Sequence, residues 1–438
     1  GAAGRKPAPP PPAWDGPDDL GCAHFLDCSG CSRAGAFDAT PIAERCQALF
    51  EPLLGASVDI FCGPATGWRR QARLAAAPGT ARIQTRGKRG RKAYRTKEVG
   101  LGLYRTKSHA VVSIPDCQAH APELNDAAAA VRAACAAAGI AAVNSEGEGS
   151  LRYVQFSLEA ATKRVALSLV WNERSAKDAQ PELPRLVKAL EATHDWHSIW
   201  ANFRGDKPGN AIFNNDPRAW SRLRGSAHVV EGLFDGTSLD TIERGRADGL
   251  DTDLNLRFSP LVFRQANLAG FAGLVANLAA WVPDGADVCE LYAGVGAMGL
   301  ALRPKCRRVR CSESNPNAPD GFELAKRDQE RRLGNELPPC RLRVLDAADA
   351  IRVDSDGADL LLVDPPRRGL CADVLEALVE GDNPGLTRVV YVSCGFDALQ
   401  RDADALLQSG RWKVAHAEGH VLFPGSDHVE TLAVFDAV

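Results

Sequence analysis

From residue 283 onward, apolar runs alternate with helical segments, and this alternation constrains the fold more than any other feature of the sequence. The runs are ADVCELY, RVRCSE, RLRVL, ADLLLVDPP and RVVYVSC, with helical patterns such as 317–333 and 396–409 between them. Such alternation predicts a parallel sheet covered by helices on both faces. The last two runs, WKVAHAEGHVLF and HVETLAVF, are joined by PGSD, which leaves no room for a helix, so they are expected to form an antiparallel hairpin.

The rest of the chain divides by composition into three further regions. Residues 1–20 form a Pro/Ala-rich tail that is expected to be disordered, and residues 21–120 are rich in cysteine and basic residues with little regular period. Residues 121–260 begin with an Ala-rich helical stretch and continue from 151 with period-two runs, LRYVQFSLEA and KRVALSLVWN, which predict antiparallel strands. An α/β domain over 261–438, preceded by a β-rich module, is the predicted architecture.

Composition excludes several classes of protein. The formal net charge of -3 predicts no general affinity for polyanions, so any nucleic-acid site must be local. The longest apolar stretch, at 271–282, falls short of the roughly 20 residues that span a bilayer, so no membrane association is expected. Thirteen cysteines scattered through 438 residues indicate a reducing compartment rather than a disulfide framework.

A glycine-rich turn follows the first apolar run of the α/β region. In CELYAGVGAMGL, Gly294, Gly296 and Gly299 fit the pattern G-x-G-x-x-G, which suits a dinucleotide as well as S-adenosylmethionine. Glu313 ends the next run, where a carboxylate can accept hydrogen bonds from ribose hydroxyls, and Asp346 follows the third run, in position to reach an adenine edge. Together these residues predict a ligand that contains adenosine.

The fourth run ends in DPPRRG, which places Asp364 and two prolines in the crevice beyond the strand. A rigid loop of this kind suits a planar substrate beside the cofactor and is not needed for hydride transfer. A methyltransferase that acts on an exocyclic amine is expected to carry an aromatic residue after the prolines, and Arg367 stands there instead.

Cys394 ends the fifth run, at the same sheet edge as Asp364, and Gly395 opens the helix that follows it. The helix start is expected to lower the thiol pKa and to favour a nucleophilic thiolate. A thiolate that adds to carbon 6 of uridine makes carbon 5 carbanion-like, so that it can take a methyl group from a sulfonium. A base must then remove the proton from carbon 5, and Glu430, which begins the last strand, is the candidate.

Five motifs in this region resemble the successive motifs of the RNA uridine-C5 methyltransferase family. They are FRQAN at 263–267, ELYAGVG at 290–296, DPPRRG at 364–369, VSCG at 392–395 and HVE at 428–430, in family order across about 175 residues. The resemblance implies a Rossmann-like class I methyltransferase domain in which Cys394 is the nucleophile and Glu430 the base. It also implies that S-adenosylmethionine and the uridine are held by Gln265, Tyr292, Gly294, Gly296, Glu313, Asp346 and Asp364.

The motif details FRQAN, ELYAGVGAMGL and SCG are most similar to plastid and cyanobacterial-type members. Two positions depart from the family pattern. Ala297 stands where many members have Asn or Thr, and Gly395 stands where Asn usually follows the Ser-Cys pair. The first departure affects one polar cofactor contact, and the second is expected to leave the cysteine loop less constrained.

Four further cysteines have the spacing of a metal site. Cys22, Cys28 and Cys31 lie in CAHFLDCSGC, and Cys117 is the candidate for a fourth ligand. Thiolates so arranged can hold a 4Fe-4S cluster, and they resemble the iron-sulfur motif of the 23S ribosomal-RNA branch of the family. A structural zinc with four sulfur ligands and unligated core cysteines are the alternatives.

A basic ribbon at 69–107 carries 13 Lys and Arg residues against one acid, Glu98, a local net charge of +12. Trp68, Tyr94 and Tyr104 are interleaved with these charges, as expected where phosphates and unstacked bases are bound together. The ribbon predicts RNA binding that weakens steeply with salt.

The sequence thus predicts a monomeric enzyme that methylates carbon 5 of a uridine in RNA, ribosomal RNA more than transfer RNA, through a covalent cysteine-uridine intermediate. The alternative is an RNA-binding ribosome assembly factor that keeps the fold without catalysis. The resemblance and the Gly1 start favour a chloroplast location, with the cytoplasm as the alternative.

Overall fold

The computed structural model describes residues 20–83, 92–205, 211–334 and 336–438, with the side chains of 80–83 and 92–97 outside that description. The tail that the sequence predicts to be disordered lies almost wholly outside these ranges. Two large sheets, one of seven strands and one of eight, form the framework of the described residues. No helix in these ranges is long and apolar enough to cross a membrane.

The elements follow one another in an order that separates the two sheets along most of the chain. The helices are α1 (Pro41–Leu54), α2 (Pro122–Ala138), α3 (Glu182–Thr193), α4 (Leu239–Ala247), α5 (Leu268–Ala279), α6 (Ala297–Leu302), α7 (Ala318–Leu333), α8 (Ala347–Val353), α9 (Ala372–Glu380) and α10 (Phe396–Gln408). The strands are β1 (Ile60–Cys62), β2 (Gln71–Ile83), β3 (Lys92–Tyr104), β4 (Val111–Ser113), β5 (Leu151–Glu159), β6 (Arg164–Trp171), β7 (Trp196–Phe203), β8 (Trp220–Gly225), β9 (Val229–Gly232), β10 (Asn255–Phe258), β11 (Asp287–Leu291), β12 (Arg308–Glu313), β13 (Cys340–Val344), β14 (Leu360–Val363), β15 (Arg388–Ser393), β16 (Trp412–Val421) and β17 (Glu430–Ala437).

The seven-stranded sheet has the order β4-β3-β2-β5-β6-β7-β8. Helices α2 and α3 pack on one face of it, because Leu74, Phe156 and Leu167 share a buried core with Leu124 and Leu186. The predicted Ala-rich helix is confirmed as α2, and the predicted antiparallel pairing is confirmed for β5 and β6. It is wrong for β6 and β7, which run parallel because α3 connects them as a crossover helix.

The eight-stranded sheet has the order β1-β16-β17-β15-β14-β11-β12-β13. Strands β11 to β15 pair in parallel, and β17 runs antiparallel to both β15 and β16. The predicted parallel sheet and terminal hairpin are therefore confirmed. Apolar clusters cover both faces, one built around α5, α6 and α7 and the other around α1, α8, α9 and α10. This is a Rossmann-like methyltransferase arrangement, as the sequence predicts.

The N-terminal region also contributes to the eight-stranded sheet. Strand β1 pairs in parallel with β16 at the sheet edge, and α1 packs beside it. Helix α1 is well delimited, since Thr40 accepts a hydrogen bond from the Ala43 N–H at 3.1 Å and Gly55 ends the helix in the left-handed conformation. Sequence analysis missed both elements. The domain boundaries at 120 and 260 remain predictions.

Candidate active site and cofactor sites

The crevice of the eight-stranded sheet lies beyond the carboxyl ends of β11 and β14, where the strand order reverses. The turn after β11 contains three left-handed residues, Tyr292, Gly294 and Gly296, with φ of 60°, 56° and 74°. Glu313 holds this turn, because its carboxylate accepts a hydrogen bond from the Gly294 N–H at 3.0 Å. A Cβ added to Gly294 would meet no atom within 4 Å, whereas one on Gly296 would collide with the Phe322 ring. The turn is thus packed on one side and open on the other.

Glu290, inside strand β11, is a site residue that sequence reasoning missed. It is fully buried, and its Oε2 accepts hydrogen bonds from the Gly299 N–H at 3.0 Å and the Cys311 thiol at 3.1 Å. Its Oε1 has no partner among the described residues. Burial, together with the charges of Asp364 and Glu313, raises the Glu290 pKa to about 8. The available signal was an acid within an otherwise apolar strand.

The remaining predicted cofactor residues lie around the same edge. Asp346 is exposed and caps α8 by accepting the Asp349 N–H at 2.9 Å, which leaves its second oxygen out of the cap. The Tyr292 hydroxyl accepts the Cys371 N–H at 3.3 Å, so it ties the glycine-rich turn to the loop after the two prolines. Gln265 is half-buried in the segment that precedes α5.

Cys394, Asp364 and Glu430 come together at the carboxyl end of β15. Ser393 pairs with Thr431 in the antiparallel ladder, which sets Cys394 beside Glu430. The charges of Glu430 and Asp364 both act on the thiol, and Arg367 opposes them. The structure therefore brings the predicted nucleophile and base together with the carboxylate of the proline loop.

The pKa values of this group differ from what the sequence suggests. Burial, followed by the charges of Glu430 and Asp364, raises the Cys394 pKa to about 11, so the expectation of a lowered value is wrong for this structure. Burial also raises the pKa of Glu430 to about 8, with Asp364 adding to the shift, and that of Asp364 to about 7. The nearby carboxylates and the loss of solvent outweigh the start of α10.

Gly395 packs tightly rather than loosening the loop. A Cβ added to it would lie 2.4 Å from the carbonyl oxygen of Arg367 and 3.1 Å from its Cα. Any side chain would have to displace the backbone of the proline loop. The departure from the family pattern at this position thus allows the cysteine loop and the proline loop to pack directly against each other.

A buried ionic network holds the FRQAN segment. Arg264 donates to the carboxylate of Glu231 at 3.1 Å and to the carbonyl oxygen of Leu158 at 2.7 Å. Arg70 binds the same carboxylate at 3.0 Å, and the Ala160 N–H donates to its other oxygen at 2.7 Å. These contacts connect the end of β5 to strand β9 and to the segment that carries Gln265.

The four predicted metal-ligating cysteines line one cavity of about 250 Å³. Cys22, Cys28, Cys31 and Cys117 are electrostatic neighbours, and burial raises the pKa of the last three. The Gly30 N–H donates to the Cys28 sulfur at 3.3 Å. Within the described ranges, however, no three Cys, His, Asp or Glu side chains are close enough together to hold one metal ion.

The basic ribbon forms the hairpin of β2 and β3, and its tip at 84–91 lies outside the described residues. Several of its charges serve internal contacts: Arg70 pairs with Glu231, and Arg105 pairs with Asp27 at 2.8 Å. Trp68 is buried, so the prediction that it stacks on bases is wrong. Tyr104 is 39% exposed and remains available at the surface.

The sheet face opposite α2 and α3 carries a polar and aromatic row that sequence reasoning missed. The register aligns one residue from each of five adjacent strands: Arg73, Gln155, Ser168, Trp200 and Arg222. Cations cover aromatic rings there, with the Arg222 Cζ 5.9 Å from the Trp200 ring centroid and the Arg73 Cζ 5.2 Å from the ring of Phe213. The alternation of side chains along each strand places this row on the face away from the core.

Sequence comparison gives close relatives among methyltransferases, although no protein-family model matches the chain. An uncharacterised RNA methyltransferase of Protochlamydia amoebophila is 31% identical over 422 residues, which cover 95% of this chain and 97% of that protein. The 23S rRNA (uracil(1939)-C(5))-methyltransferase RlmD of Acidithiobacillus ferrooxidans is 25% identical over 434 residues, 95% of this chain and 82% of that protein. The chain belongs to a family of RNA methyltransferases. This membership agrees with the resemblance carried by the five motifs.

A solved structure shows the same fold. It is the tRNA (uracil-54, C5)-methyltransferase of Pyrococcus abyssi in complex with S-adenosyl-L-homocysteine, with a TM-score of 0.63 and 20% identity. The match covers 92% of this chain and 87% of that one. This match shows that the fold is shared, and the sequence relatives make the chain an RNA methyltransferase by family.

Proposed function

We propose that this RNA methyltransferase methylates carbon 5 of a uridine through a covalent bond between Cys394 and carbon 6. The observation that carries the proposal is the convergence of Cys394, Asp364 and Glu430 at one strand end. A thiol next to a half-buried carboxylate and a buried one suits a reaction that needs a nucleophile and a later base.

In the first step, the thiolate of Cys394 adds to carbon 6 of the ring, and the electrons of the 5,6 double bond pass into the carbonyl at position 4 as an enolate. When bound, S-adenosylmethionine would supply an electrophilic methyl group: carbon 5 takes the methyl with the enolate electrons, and the electron pair of the broken S–CH3 bond stays on the sulfur as a neutral thioether. Carbon 5 then carries both a methyl group and a proton. Glu430 removes that proton, the 5,6 double bond re-forms, and the sulfur leaves carbon 6 with its electron pair.

A raised Glu430 pKa suits this second role. A carboxylate of ordinary acidity is a weak base, whereas one whose conjugate acid has a pKa of about 8 is a stronger base in the fraction of molecules in which it is ionised. Asp364 begins the proline loop and its charge acts on Cys394, so it can accept a hydrogen bond from a ring N–H and orient the uracil. The residues proposed to hold S-adenosylmethionine are Gln265, Tyr292, Gly294, Gly296, Glu313 and Asp346. Tyr292, Gly294 and Gly296 form the glycine-rich turn and Glu313 holds it, while Asp346 follows β13 and Gln265 precedes α5.

Replacing Glu430 by Gln tests the covalent route. The variant should still form the adduct and transfer the methyl group, but it should fail to release the product, so protein and RNA should co-migrate under denaturing conditions. Adding Cys394→Ala to the same variant should abolish the adduct. A Glu430→Gln protein that forms no adduct with any ribosomal RNA fragment would instead favour an RNA-binding assembly factor without catalysis.

We also propose that Cys22, Cys28, Cys31 and Cys117 hold a 4Fe-4S cluster. Zinc in a tetrahedral site needs its sulfurs about 3.8 Å apart around one point, whereas these thiols are spread around the wall of a cavity of about 250 Å³. The N–H groups of Gly30, Ala119 and His120 hydrogen-bond to Cys28 and Cys117, as is common for cluster ligands. Anaerobic purification should give brown protein that contains iron; colourless protein with one zinc would contradict the cluster.

For the substrate we propose ribosomal RNA, bound along this row of the seven-stranded sheet, where Arg73 and Arg222 are exposed and Trp200 is half-buried, while Gln155 and Ser168 between them are buried. Arginines and aromatic rings in adjacent strands suit a backbone whose bases are unstacked. This row adjoins the segment before Arg264, because Trp200 and Pro260 border the same small pocket. An unstacked strand on this face would therefore lead towards the crevice, where the target uridine must be flipped out to reach Cys394.

A further inference from the structure

The turn that joins β16 to β17 lies directly against the cysteine-lined cavity. The Ser32 and Arg33 N–H groups both donate to the carbonyl oxygen of Gly425, at 2.8 and 3.0 Å. Gly425 has φ of 90°, and a Cβ added to it would lie 3.2 Å from the Cys31 sulfur. The backbone of this turn is thus in contact with one of the proposed cluster ligands.

A stack of side chains makes a second connection between the cavity and the turn. The guanidinium carbon of Arg69 lies 4.6 Å from the Trp68 ring centroid and 5.7 Å from that of Phe423, and the two rings meet edge to face at 5.5 Å. The charge of Arg69 also acts on Cys31 and Cys117. In the described part of the chain, no carboxylate forms an ion pair with this arginine, and its electrostatic partners are the sulfurs of Cys117 and Cys31, which carry negative charge only as thiolates.

The same turn leads into the catalytic strand. Glu430 begins β17 directly after it and pairs with His420 of β16. The other end of the turn is fixed independently, since the Asn267 side chain donates to the Leu422 carbonyl oxygen at 2.8 Å. The contacts to the cavity, at Phe423 and Gly425, therefore lie between this fixed end and the base.

We propose that Arg69, Phe423 and Gly425 position Glu430 according to whether the four-cysteine site is occupied. Thiolates that ligate a cluster hold Arg69 by charge and fix the Cys28–Cys31 loop, and both contacts hold the turn. When the cluster is lost, both contacts loosen and Glu430 is no longer held opposite Cys394. This inference rests on the proposed cluster and on the proposed role of Glu430. Arg69 and Phe423 are positioning residues, because they act through the turn.

Hydrogen exchange of the backbone tests this coupling without reference to activity. Amides of 422–431 should exchange at least tenfold faster after anaerobic protein is stripped of iron with an oxidant and a chelator, while amides of β15 should stay unchanged. Iron-loaded Arg69→Gln and Phe423→Leu proteins should already show faster exchange at 422–431 although they retain iron. The matched control is Arg352→Gln, which changes an exposed arginine whose one ion pair among the described residues is with Asp373, and it should match the wild type.

A second measurement separates positioning from a general loss of structure. In single-turnover reactions, Arg69→Gln should form the protein–RNA adduct at close to the wild-type rate but release it at least tenfold more slowly, and Arg69→Lys should restore much of the release. Equal losses in formation and release would overturn the proposal. The proposal would also be overturned if iron removal speeds amide exchange around Cys28 but leaves the exchange rates of 422–431 within twofold of those of the iron-loaded protein.

The two levels of the proposal can fail separately. Protein that binds no iron even after anaerobic reconstitution would remove the cluster and this coupling together, and adduct formation by Glu430→Gln would still decide the methylation mechanism. Iron-loaded protein whose turn is unaffected by iron removal would remove the coupling alone.

Discussion

The raised pKa of Glu430 makes a quantitative prediction about stability. In the folded protein the pKa of this carboxyl is about 8, compared with an ordinary pKa of 4.5. Between these values the folded state binds more protons than the unfolded chain, so the contribution of Glu430 to stability is largest at low pH and is lost as pH rises through about 8. Since each pKa unit corresponds to about 1.4 kcal/mol, the loss between pH 6 and pH 9 is about 2–3 kcal/mol.

Glu430→Gln removes this titration and keeps the shape of the side chain. The free energy of unfolding of the variant, measured relative to wild type by urea denaturation, should therefore rise by about 2–3 kcal/mol from pH 6 to pH 9. Asp364→Asn serves as a matched comparison, because a pKa of about 7 places most of its change at lower pH and leaves roughly half the effect over this interval. A difference between Glu430→Gln and wild type that stays the same across this range would refute the reasoning.

Three further predictions concern contacts around the site. Glu231→Gln should destabilise the protein by roughly 3–5 kcal/mol, because it removes the carboxylate that pairs with the buried Arg264. Arg264→Met should destabilise it less, because Arg70 still pairs with Glu231; denaturation curves that match the wild type for both variants would contradict the network. Gly395→Ala should slow adduct formation at least tenfold while S-adenosylmethionine still binds, measured by single-turnover kinetics and calorimetry; an unchanged rate would show that the two loops need not touch. Trp200→Ala should weaken RNA binding by about 1–3 kcal/mol at every salt concentration, whereas Arg222→Gln should reduce the slope of log affinity against log salt by about one. Filter binding in a salt series measures both quantities, and values equal to the wild type for both variants would contradict RNA binding at this row.

The α/β half of the fold could be predicted because its signals are local and regular. Buried parallel strands require continuous apolar runs, and the helices between them require enough residues to cross the sheet. Strand β1 gave no such signal, since three residues at a sheet edge have no period of their own. Helix α3 was missed within a stretch that had been interpreted as continuous β-structure, so the parallel pairing of β6 and β7 was missed with it.

The chemical environment of the site was harder to predict than the identity of the residues that form it. Sequence order places Cys394 and Asp364 at the same edge, but the thiol pKa depends on burial and on Glu430, which is distant in the chain. Trp68 and Arg69 were interpreted as parts of an RNA-binding ribbon, because composition cannot show whether a side chain near the start of a strand faces solvent or the protein interior. The structure turns both towards the cysteine cavity and Phe423.

The electrostatics of the crevice resolve an ambiguity that the glycine-rich turn leaves open. The pattern G-x-G-x-x-G serves dinucleotides as well as S-adenosylmethionine, and a dinucleotide would bring a doubly charged pyrophosphate to this turn. The pKa values of Glu290 and Asp364 are raised, and the charge of Glu313 adds to the shift of Glu290. When burial and neighbouring acids raise the pKa of a carboxyl group, a nearby cation stabilises its ionised form and a nearby anion destabilises it. A sulfonium supplies the missing positive charge at this edge, so the same glycines that fit either ligand are surrounded by carboxylates that favour S-adenosylmethionine.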